Sequence, residues 1–271
     1  MTLSTAVLQF KALIENAILL GGTEAKNNLI RSSRPINLIH EAVKTKLIGA
    51  GINPIQVRPA INQTTGELEV WGFLKKKKQD VAVVPKANVI APMPQQVVLG
   101  KRDPLGSNFT ERVLSVNVRS QLSSAAKNFD TLYERTFAEA VNFHERCPMM
   151  VLGEVYMIAI REYDSNAANR RQIAFRPLNN KIQAHVEKYI NYFEMLNNRT
   201  STSSDSHKYE RVALLLVDFS VVDPKIYDTD ADLKADGFLS AGSSASISNL
   251  TFNSLVPNLL SAYHARFGTN P

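Results

Sequence analysis

Three side chains in the middle of the sequence have types and spacings that suit metal-assisted chemistry on a phosphate ester. Asp80 opens an apolar segment, and Asn117 and Arg119 lie two positions apart in a later one. Residues two apart in a strand project from the same face, so Asn117 and Arg119 are expected side by side. A carboxylate can bind Mg²⁺, which activates water for attack on a phosphodiester, and a nearby cation stabilises the developing charge. These three residues are therefore the first candidates for a catalytic site.

Hydrophobic periodicity predicts the elements that hold these residues. A strand at 79–85 includes Asp80, and the four lysines at 75–78 form a tight polar link to an earlier strand at 66–74, as in a hairpin. The proline-rich stretch 85–110 is expected to be irregular. The other predicted strands are 113–121, 153–160 and 211–219, and the predicted helices are 4–20 (ended by Gly21 and Gly22), 35–48, 124–145, 180–198 and 257–267. This order predicts an α/β fold with a mixed β-sheet flanked by helices.

The composition limits the classes of protein to which the chain can belong. With 271 residues, 44% hydrophobic and 21% charged, we expect one globular domain over 1–271. The net charge of +6 favours a polyanionic partner such as nucleic acid. The N-terminal apolar stretch contains a lysine and a glutamate and is interpreted as an amphipathic helix, so we expect no signal peptide, no membrane span and a cytoplasmic protein. One cysteine disfavours a zinc site, and the lack of a glycine-rich phosphate loop disfavours a nucleotide cofactor.

Four short segments resemble the core of type II restriction endonucleases, in particular those that recognise CTCGAG. In chain order they are Asp80-Val-Ala-Val-Val, Asn117-Val-Arg-Ser-Gln, Lys127-Asn-Phe and Glu134-Arg-Thr. The segment 114–144 and the later GEVYMIAIREYD are also similar to a broader group of type II restriction enzymes. The resemblance covers roughly 40–165. It implies a PD-(D/E)XK restriction-endonuclease-like core at approximately 35–165 and a part of unassigned role at 166–271, suited to dimerisation or DNA reading.

The chain departs from the pattern of these enzymes at two positions. Under the resemblance Asp80 is the metal-binding aspartate, but Asn117 replaces an acidic residue and Arg119 replaces a lysine. Arginine keeps the positive charge but does not give up its proton, so it can orient and stabilise but is a poor base. Asparagine can offer a metal one oxygen ligand but brings no charge. A catalytic site therefore needs a carboxylate from another position.

The missing carboxylate is expected on one of two predicted helices. On helix 124–145, Glu134 is the first choice, and Asp130 and Glu139 are its rivals. Glu41 lies off the apolar face of helix 35–48, and nucleases of this core often direct a glutamate of the first helix at the metal. The predicted Mg²⁺ ligands are therefore Asp80, Glu134 and Glu41.

Each candidate also has a simpler interpretation. Aspartate favours turns, so Asp80 could merely begin a strand. Glu134 on the flank of a helix could be a solvated charge, and Glu41 could pair with Lys44 three residues along the helix. The lysines at 75–78 could be a solvated turn or could contact phosphates, which contributes affinity but no sequence information.

The leading hypothesis is a homodimeric, Mg²⁺-dependent type II restriction endonuclease of a bacterial or archaeal cytoplasm that cuts double-stranded DNA. The residues expected to contact DNA are Ser120, Gln121, Lys127, Asn128 and Arg135, since such side chains make base and phosphate contacts. The alternative is a DNA-binding protein with a catalytically decayed nuclease core, which Asn117 favours. A repair or junction-resolving nuclease is a third, weaker hypothesis.

Overall fold

A computed structural model describes residues 1–98 and 101–271, without the side chains of 95–98 and 101. Its helices are α1 (Leu3–Arg31), α2 (Ile36–Gly49), α3 (Ser107–Glu111), α4 (Ala125–His144), α5 (Ser165–Asn169), α6 (Ile182–Met195), α7 (Asp230–Ala235) and α8 (Phe252–Phe267). Its strands are β1 (Val57–Arg58), β2 (Leu68–Trp71), β3 (Lys76–Gln79), β4 (Val81–Val83), β5 (Gln95–Val98), β6 (Lys101–Asp103), β7 (Leu114–Gln121), β8 (Val151–Ala159), β9 (Arg211–Asp218) and β10 (Lys225–Tyr227).

The main sheet has the strand order β1-β4-β7-β8-β9-β10 and is mixed. Strands β1, β4 and β7 are antiparallel neighbours, β7, β8 and β9 are parallel, and β10 returns antiparallel to β9. The parallel pairs are joined through α4 and α6, as parallel neighbours require a crossover connection. The predicted α/β fold with a mixed sheet flanked by helices is thereby confirmed.

Each face of the sheet is covered by its own set of helices. Apolar residues of α1, α2 and α8 pack on one face, and those of α4, α6 and α7 pack on the other. Strand β9 shows why its sequence is apolar without alternation: Ala213 and Leu215 belong to the first core, while Val212 and Leu214 belong to the second. A strand buried on both faces loses the polar positions of a half-exposed strand.

Helix α1 covers the sheet with one apolar stripe, which contains Phe10, Ile14 and Ile18 and is at most 1% exposed. By length and composition alone, the region Leu3–Gly49 also contains a stretch apolar enough to cross a membrane, a test that buried core helices and signal sequences also pass. The absence of a membrane span, expected from the sequence, stays a prediction.

The predicted hairpin exists, but its strands differ from the expectation. Strand β3 consists of Lys76–Gln79, so three of the four lysines lie within the strand and the connection to β2 is Gly72–Lys75. The interpretation of all four lysines as a turn is therefore wrong. After β3 the chain crosses to the main sheet, where β4 pairs with β1 and β7. The stretch expected to be irregular contains the paired strands β5 and β6 and the short helix α3.

The first helix does not end at the predicted glycine pair. Gly22 has the backbone angles φ 68° and ψ −151°, which break the helix, but a helical segment resumes after it and continues to Arg31. The second segment places α5 next to α1, where Thr23 donates a hydrogen bond from Oγ1 to the carbonyl oxygen of Ser165 at 3.1 Å. The break therefore turns the chain so that the second segment packs beside α5.

We expect Gly22→Ala to lower the free energy of unfolding by about 1–3 kcal/mol, because the angles of Gly22 fall in a region that is essentially restricted to glycine. An added Cβ would also lie 2.9 Å from the carbonyl oxygen of Ala168. Urea denaturation measures the loss. Gly237→Ala is the matched control, because Gly237 has φ 76° but open space around it. Equal losses for the two variants would contradict the contribution of the contact with Ala168.

Candidate functional site

Two strand registers bring the candidate residues of the centre of the sheet together. Val81 pairs with Val116 across β4 and β7, which places Asp80 beside Asn117 at the start of β4. The backbone N–H of Val118 donates a hydrogen bond to Oδ2 of Asp80 at 2.8 Å. In the parallel pair of β7 and β8, Asn117 is the register partner of Glu154. Asp80, Asn117 and Glu154 therefore belong to three adjacent strands.

Arg119 is held by three side chains of the layer formed by β8 and α4. Its Nη1 donates to Oγ1 of Thr136 at 2.7 Å and to Oε1 of Glu154 at 3.0 Å, and its Nη2 binds Oε2 of Glu139. Burial opposes the charged form, but the carboxylates of Glu154, Glu139 and Asp80 outweigh it, and the pKa of Arg119 is raised above its ordinary value. Arg119 is thus a permanent, fixed cation on the same strand face as Asn117, as the alternation predicted.

Glu154 is the residue of this cluster that sequence analysis did not single out. Its side chain is fully buried within the otherwise apolar strand β8. Burial raises the pKa of Glu154 to about 8, although the cations Arg119 and Lys77 act in the opposite direction. A charged residue inside a strand that is apolar on both sides is a signal in the sequence, since an ionised group there needs a partner.

The hairpin of β2 and β3 adds a second cation to the cluster. Lys77 forms an ion pair with Oε2 of Glu139, and about a third of its side chain is exposed. Its neighbours on β3 pair with acids of the partner strand region, Lys76 with Glu69 and Lys78 with Glu67. Of the three lysines in β3, only Lys77 is therefore directed at the cluster.

Three buried oxygen atoms of the cluster have no hydrogen-bond partner: Oδ1 of Asn117, Oε1 of Glu139 and Oε2 of Glu154. They are the oxygens that Arg119 and Lys77 do not contact. Within residues 1–98 and 101–271, no group of three or more His, Cys, Asp or Glu side chains is placed to hold a metal ion. Two carboxylates and an amide still fit Mg²⁺, which is usually bound through one or two carboxylates together with water and phosphate.

Glu41 lies near Asp80 but is already engaged by other groups. Its Oε1 accepts from Nζ of Lys44 at 2.7 Å, and its Oε2 accepts from the backbone N–H of Asn62 at 2.8 Å. The predicted alternative, a pair with Lys44, is confirmed. Glu41, Asp80 and His40 line a common cavity of about 10 Å³, room for one water molecule. Both carboxylate oxygens hold protein groups, which argues against Glu41 as a metal ligand.

Glu134 lies away from the cluster. It is exposed on α4, whereas Glu139 of the same helix is 6% exposed and binds Arg119. Five residues of an α-helix correspond to a rotation of about 140° from the starting direction, so the two side chains cannot share a face. Asp130 is also exposed and pairs with Lys188 at 2.6 Å. Of the three carboxylates proposed for helix 124–145, the structure therefore places Glu139 at the cluster instead of Glu134.

Of the residues expected to contact DNA, Ser120 lines a groove beside Arg119, and the other four do not. Ser120 and Arg119 line this groove of about 270 Å³ between α4 and the connection from α1 to α2. Gln121 is half-buried and binds the carbonyl oxygen of Ser123. The remaining three, on the outer surface of α4, are exposed: Lys127, Asn128 and Arg135.

Comparison of the chain with protein-family models, with curated proteins and with solved structures finds no match. No relative therefore assigns an activity to the cluster. The chemistry of Asp80, Asn117, Arg119, Glu139 and Glu154, and the contacts among them, are the basis for a functional assignment.

Glu154 makes the stability of the protein pH-dependent in a definite direction. Its pKa rises from the ordinary 4.5 to about 8 on folding, so the stability contributed by the protonated form is present below about pH 4.5 and is lost as the pH rises through 8. As the pH rises from about 4.5 to 8, we expect the free energy of unfolding of the wild type to fall relative to that of Glu154→Gln. The slope of this difference is up to about 1.4 kcal/mol per pH unit.

Urea denaturation at several pH values between 5 and 8.5 measures this difference. The exposed Glu134→Gln is the matched control and should follow the wild-type curve. Parallel curves for the wild type and Glu154→Gln would show that the carboxyl group of Glu154 titrates normally.

Proposed function

We propose that this chain is a Mg²⁺-dependent type II restriction endonuclease with a PD-(D/E)XK core. The main support is the juxtaposition of Asp80, Asn117 and Arg119 with Glu154, a carboxylate on the strand next to the position where the pattern requires an acid. Glu154 supplies the carboxyl group that Asn117 lacks. The resemblance in sequence and the geometry of the cluster share Asp80, Asn117 and Arg119, whereas Glu154 comes from the geometry alone.

The order of elements around the cluster also supports this core. Asp80 immediately precedes β4, the antiparallel neighbour β7 presents Asn117 and Arg119 on one face, and α4 follows β7 and packs over that face. The resemblance implies this same succession: a strand begun by an aspartate, a second strand with an acidic position and a cation, and then a helix. It extends to the approximate core 35–165, which contains all of these elements.

The chain offers Mg²⁺ the carboxylates of Asp80 and Glu154, with the amide of Asn117 and the carboxylate of Glu139 beside them. Mg²⁺ held there would activate a water molecule and stabilise the leaving oxygen of a phosphodiester. Arg119 orients the two glutamates and places a positive charge where negative charge develops. The proposed ligands are therefore Asp80, Glu154 and the amide of Asn117, in place of the set Asp80, Glu134 and Glu41 that was expected from the sequence.

The surface near the cluster has the charge that DNA requires. Arg31 and Arg34 are exposed in and beside the connection from α1 to α2, and Ser33 and Pro35 of that connection line the groove next to Arg119. Phosphate contacts by such side chains account for much of the affinity of DNA-binding proteins. The net charge of +6 acts in the same direction. We further propose a homodimer, matched to a palindromic site, in the cytoplasm.

One observation favours the alternative, a DNA-binding protein with a decayed core. The cations Arg119 and Lys77 already balance the charges of Glu139 and Glu154. Together with the uncharged Asn117, this balance would stabilise the fold without binding a metal. The two hypotheses differ in whether Mg²⁺ elicits cleavage, and both require binding of DNA.

Incubation of the purified chain with phage DNA, in Mg²⁺ and in EDTA, tests the proposal. We expect discrete fragments with Mg²⁺ alone, and a loss of roughly 100-fold or more in rate for Asp80→Ala, Glu154→Gln and Arg119→Ala, since each removes a group that binds or stabilises charge at the reacting phosphate. Glu139→Gln and Glu134→Gln form a matched pair on α4. The first should lower the rate by roughly 10-fold or more, and the second should leave it within about twofold.

Other outcomes separate the hypotheses. Intact DNA in both lanes, with binding that Asp80→Ala does not alter, would establish the decayed core. Cutting without sequence preference at branched DNA would indicate a junction-resolving nuclease. Loss of activity in Glu134→Gln alone would restore the ligand set expected from the sequence.

A further inference from the structure

The tip of the hairpin of β2 and β3 exposes two adjacent large apolar side chains. The connection is Gly72-Phe73-Leu74-Lys75, in which Phe73 is 57% and Leu74 is 60% exposed. Exposure of single apolar residues is ordinary, but two neighbours at the end of a narrow β-ribbon present an apolar edge to solvent.

This tip is held rigidly by one side chain of α4. Oδ1 of Asn142 accepts hydrogen bonds from the backbone N–H groups of Leu74 at 2.8 Å and of Lys75 at 3.1 Å. Its Nδ2 donates to the carbonyl oxygen of Lys75, and its own carbonyl oxygen accepts from the N–H of Phe73. A Cβ at Gly72 would lie 2.1 Å from Nδ2 of Asn142, so the close approach requires glycine. Phe73 and Leu74 are therefore exposed on a fixed backbone.

A run of positive charge begins at the tip. Lys75 is exposed beside Leu74. Strand β3 continues with three more lysines, which form ion pairs with glutamates, and of these Lys76 and Lys78 are also exposed at the surface. The combination of an apolar tip and flanking cations suits a duplex, since the cations meet phosphates while the apolar side chains reach the stacked bases.

The tip also has a fixed relation to the candidate catalytic cluster. Asn142, which holds the tip, follows Glu139 by three residues on α4, and the same strand β3 delivers Lys77 to Glu139. The residue that orients Phe73 and Leu74 therefore lies one helical turn from Glu139, a member of the candidate catalytic cluster. This proximity favours DNA over a lipid surface as the partner of the tip.

We propose that Phe73 and Leu74 form a wedge that inserts between adjacent base pairs of bound duplex DNA and locally unwinds it, while Lys75 contacts a flanking phosphate. The proposal rests on the DNA-binding part of the proposed function and not on cleavage. Partial unstacking of a base step costs free energy, which the apolar burial of the two side chains and the phosphate contacts offset.

Unwinding of a closed circular plasmid tests the wedge without knowledge of the recognition sequence. The plasmid is relaxed by a topoisomerase that needs no metal, in EDTA, with and without the protein. We expect the wild type to change the linking number and the variant Phe73→Ala/Leu74→Ala to leave it unchanged. In a gel-shift titration of a 30-base-pair duplex, we expect the double variant to bind roughly tenfold more weakly.

Three further variants complete the test. Leu20→Ala/Val222→Ala removes two apolar side chains that are 79% and 86% exposed elsewhere, and should retain both unwinding and affinity. Phe73→Trp keeps a flat apolar side chain and should retain unwinding. Lys75→Gln should reduce the number of counterions released on binding by about one. At saturation this variant should still unwind the plasmid. Thermal unfolding of each variant checks that its fold is intact.

Several results would overturn the wedge. These are unwinding by the Phe73→Ala/Leu74→Ala variant equal to that of the wild type, no binding of the duplex by the wild type, or tip-dependent binding of phosphatidylserine vesicles without any effect on the plasmid. Unwinding that depends on Phe73 and Leu74, in a protein that does not cut DNA with Mg²⁺, would support the wedge and refute the nuclease. The two proposals can therefore fail separately.

Discussion

The ion pair of Glu154 and Arg119 is the interaction on which the centre of the structure depends. Strand β8 is buried on both faces, and a carboxylate there would be strongly destabilising without a cation. Arg119 provides that cation and also binds Thr136 and Glu139, so one guanidinium connects β7, β8 and α4. The charges proposed for catalysis are thus the same charges that hold the central layers together. Burial raises the pKa of Glu154, and its Oε2 has no hydrogen-bond partner.

Helix α4 connects this ion pair with the surface of the protein. Its inner face provides Thr136 and Glu139 to Arg119, and one turn later Asn142 fixes the tip of the hairpin. Lys77, on strand β3 of the hairpin, also connects the hairpin with the cluster, because it forms an ion pair with Glu139. Because these contacts share one rigid helix, a ligand at the hairpin and a ligand at the cluster would occupy a fixed geometry relative to each other. This arrangement suits an elongated partner such as a duplex.

The sequence predicted elements well where burial repeats with a regular period. Strands β7 and β9 and helix α4 lie within about two residues of their expected bounds, because the apolar residues that they bury recur with the period of the backbone. Prediction failed for β3, where consecutive lysines suggested a solvated turn. In the structure Lys76 and Lys78 pair with Glu69 and Glu67 across or beside the ribbon, so their charges are compatible with a strand. The sequence predicted the break at Gly22 but not the helical segment that follows it. That segment packs against α5, which lies far along the chain, so local periodicity does not indicate it.

Local alternation in the sequence predicts that Asp80 precedes a strand and that Asn117 and Arg119 share a face. Local alternation does not determine which other carboxylates lie beside these three residues. The choice of Glu139 over Glu134 depends on the rotation of α4 about its axis, and the presence of Glu154 depends on the parallel register of β7 and β8. Both are set by packing between elements distant in the chain. Local periodicity specifies which face of an element is apolar, but packing between distant elements selects the residue that contacts that face.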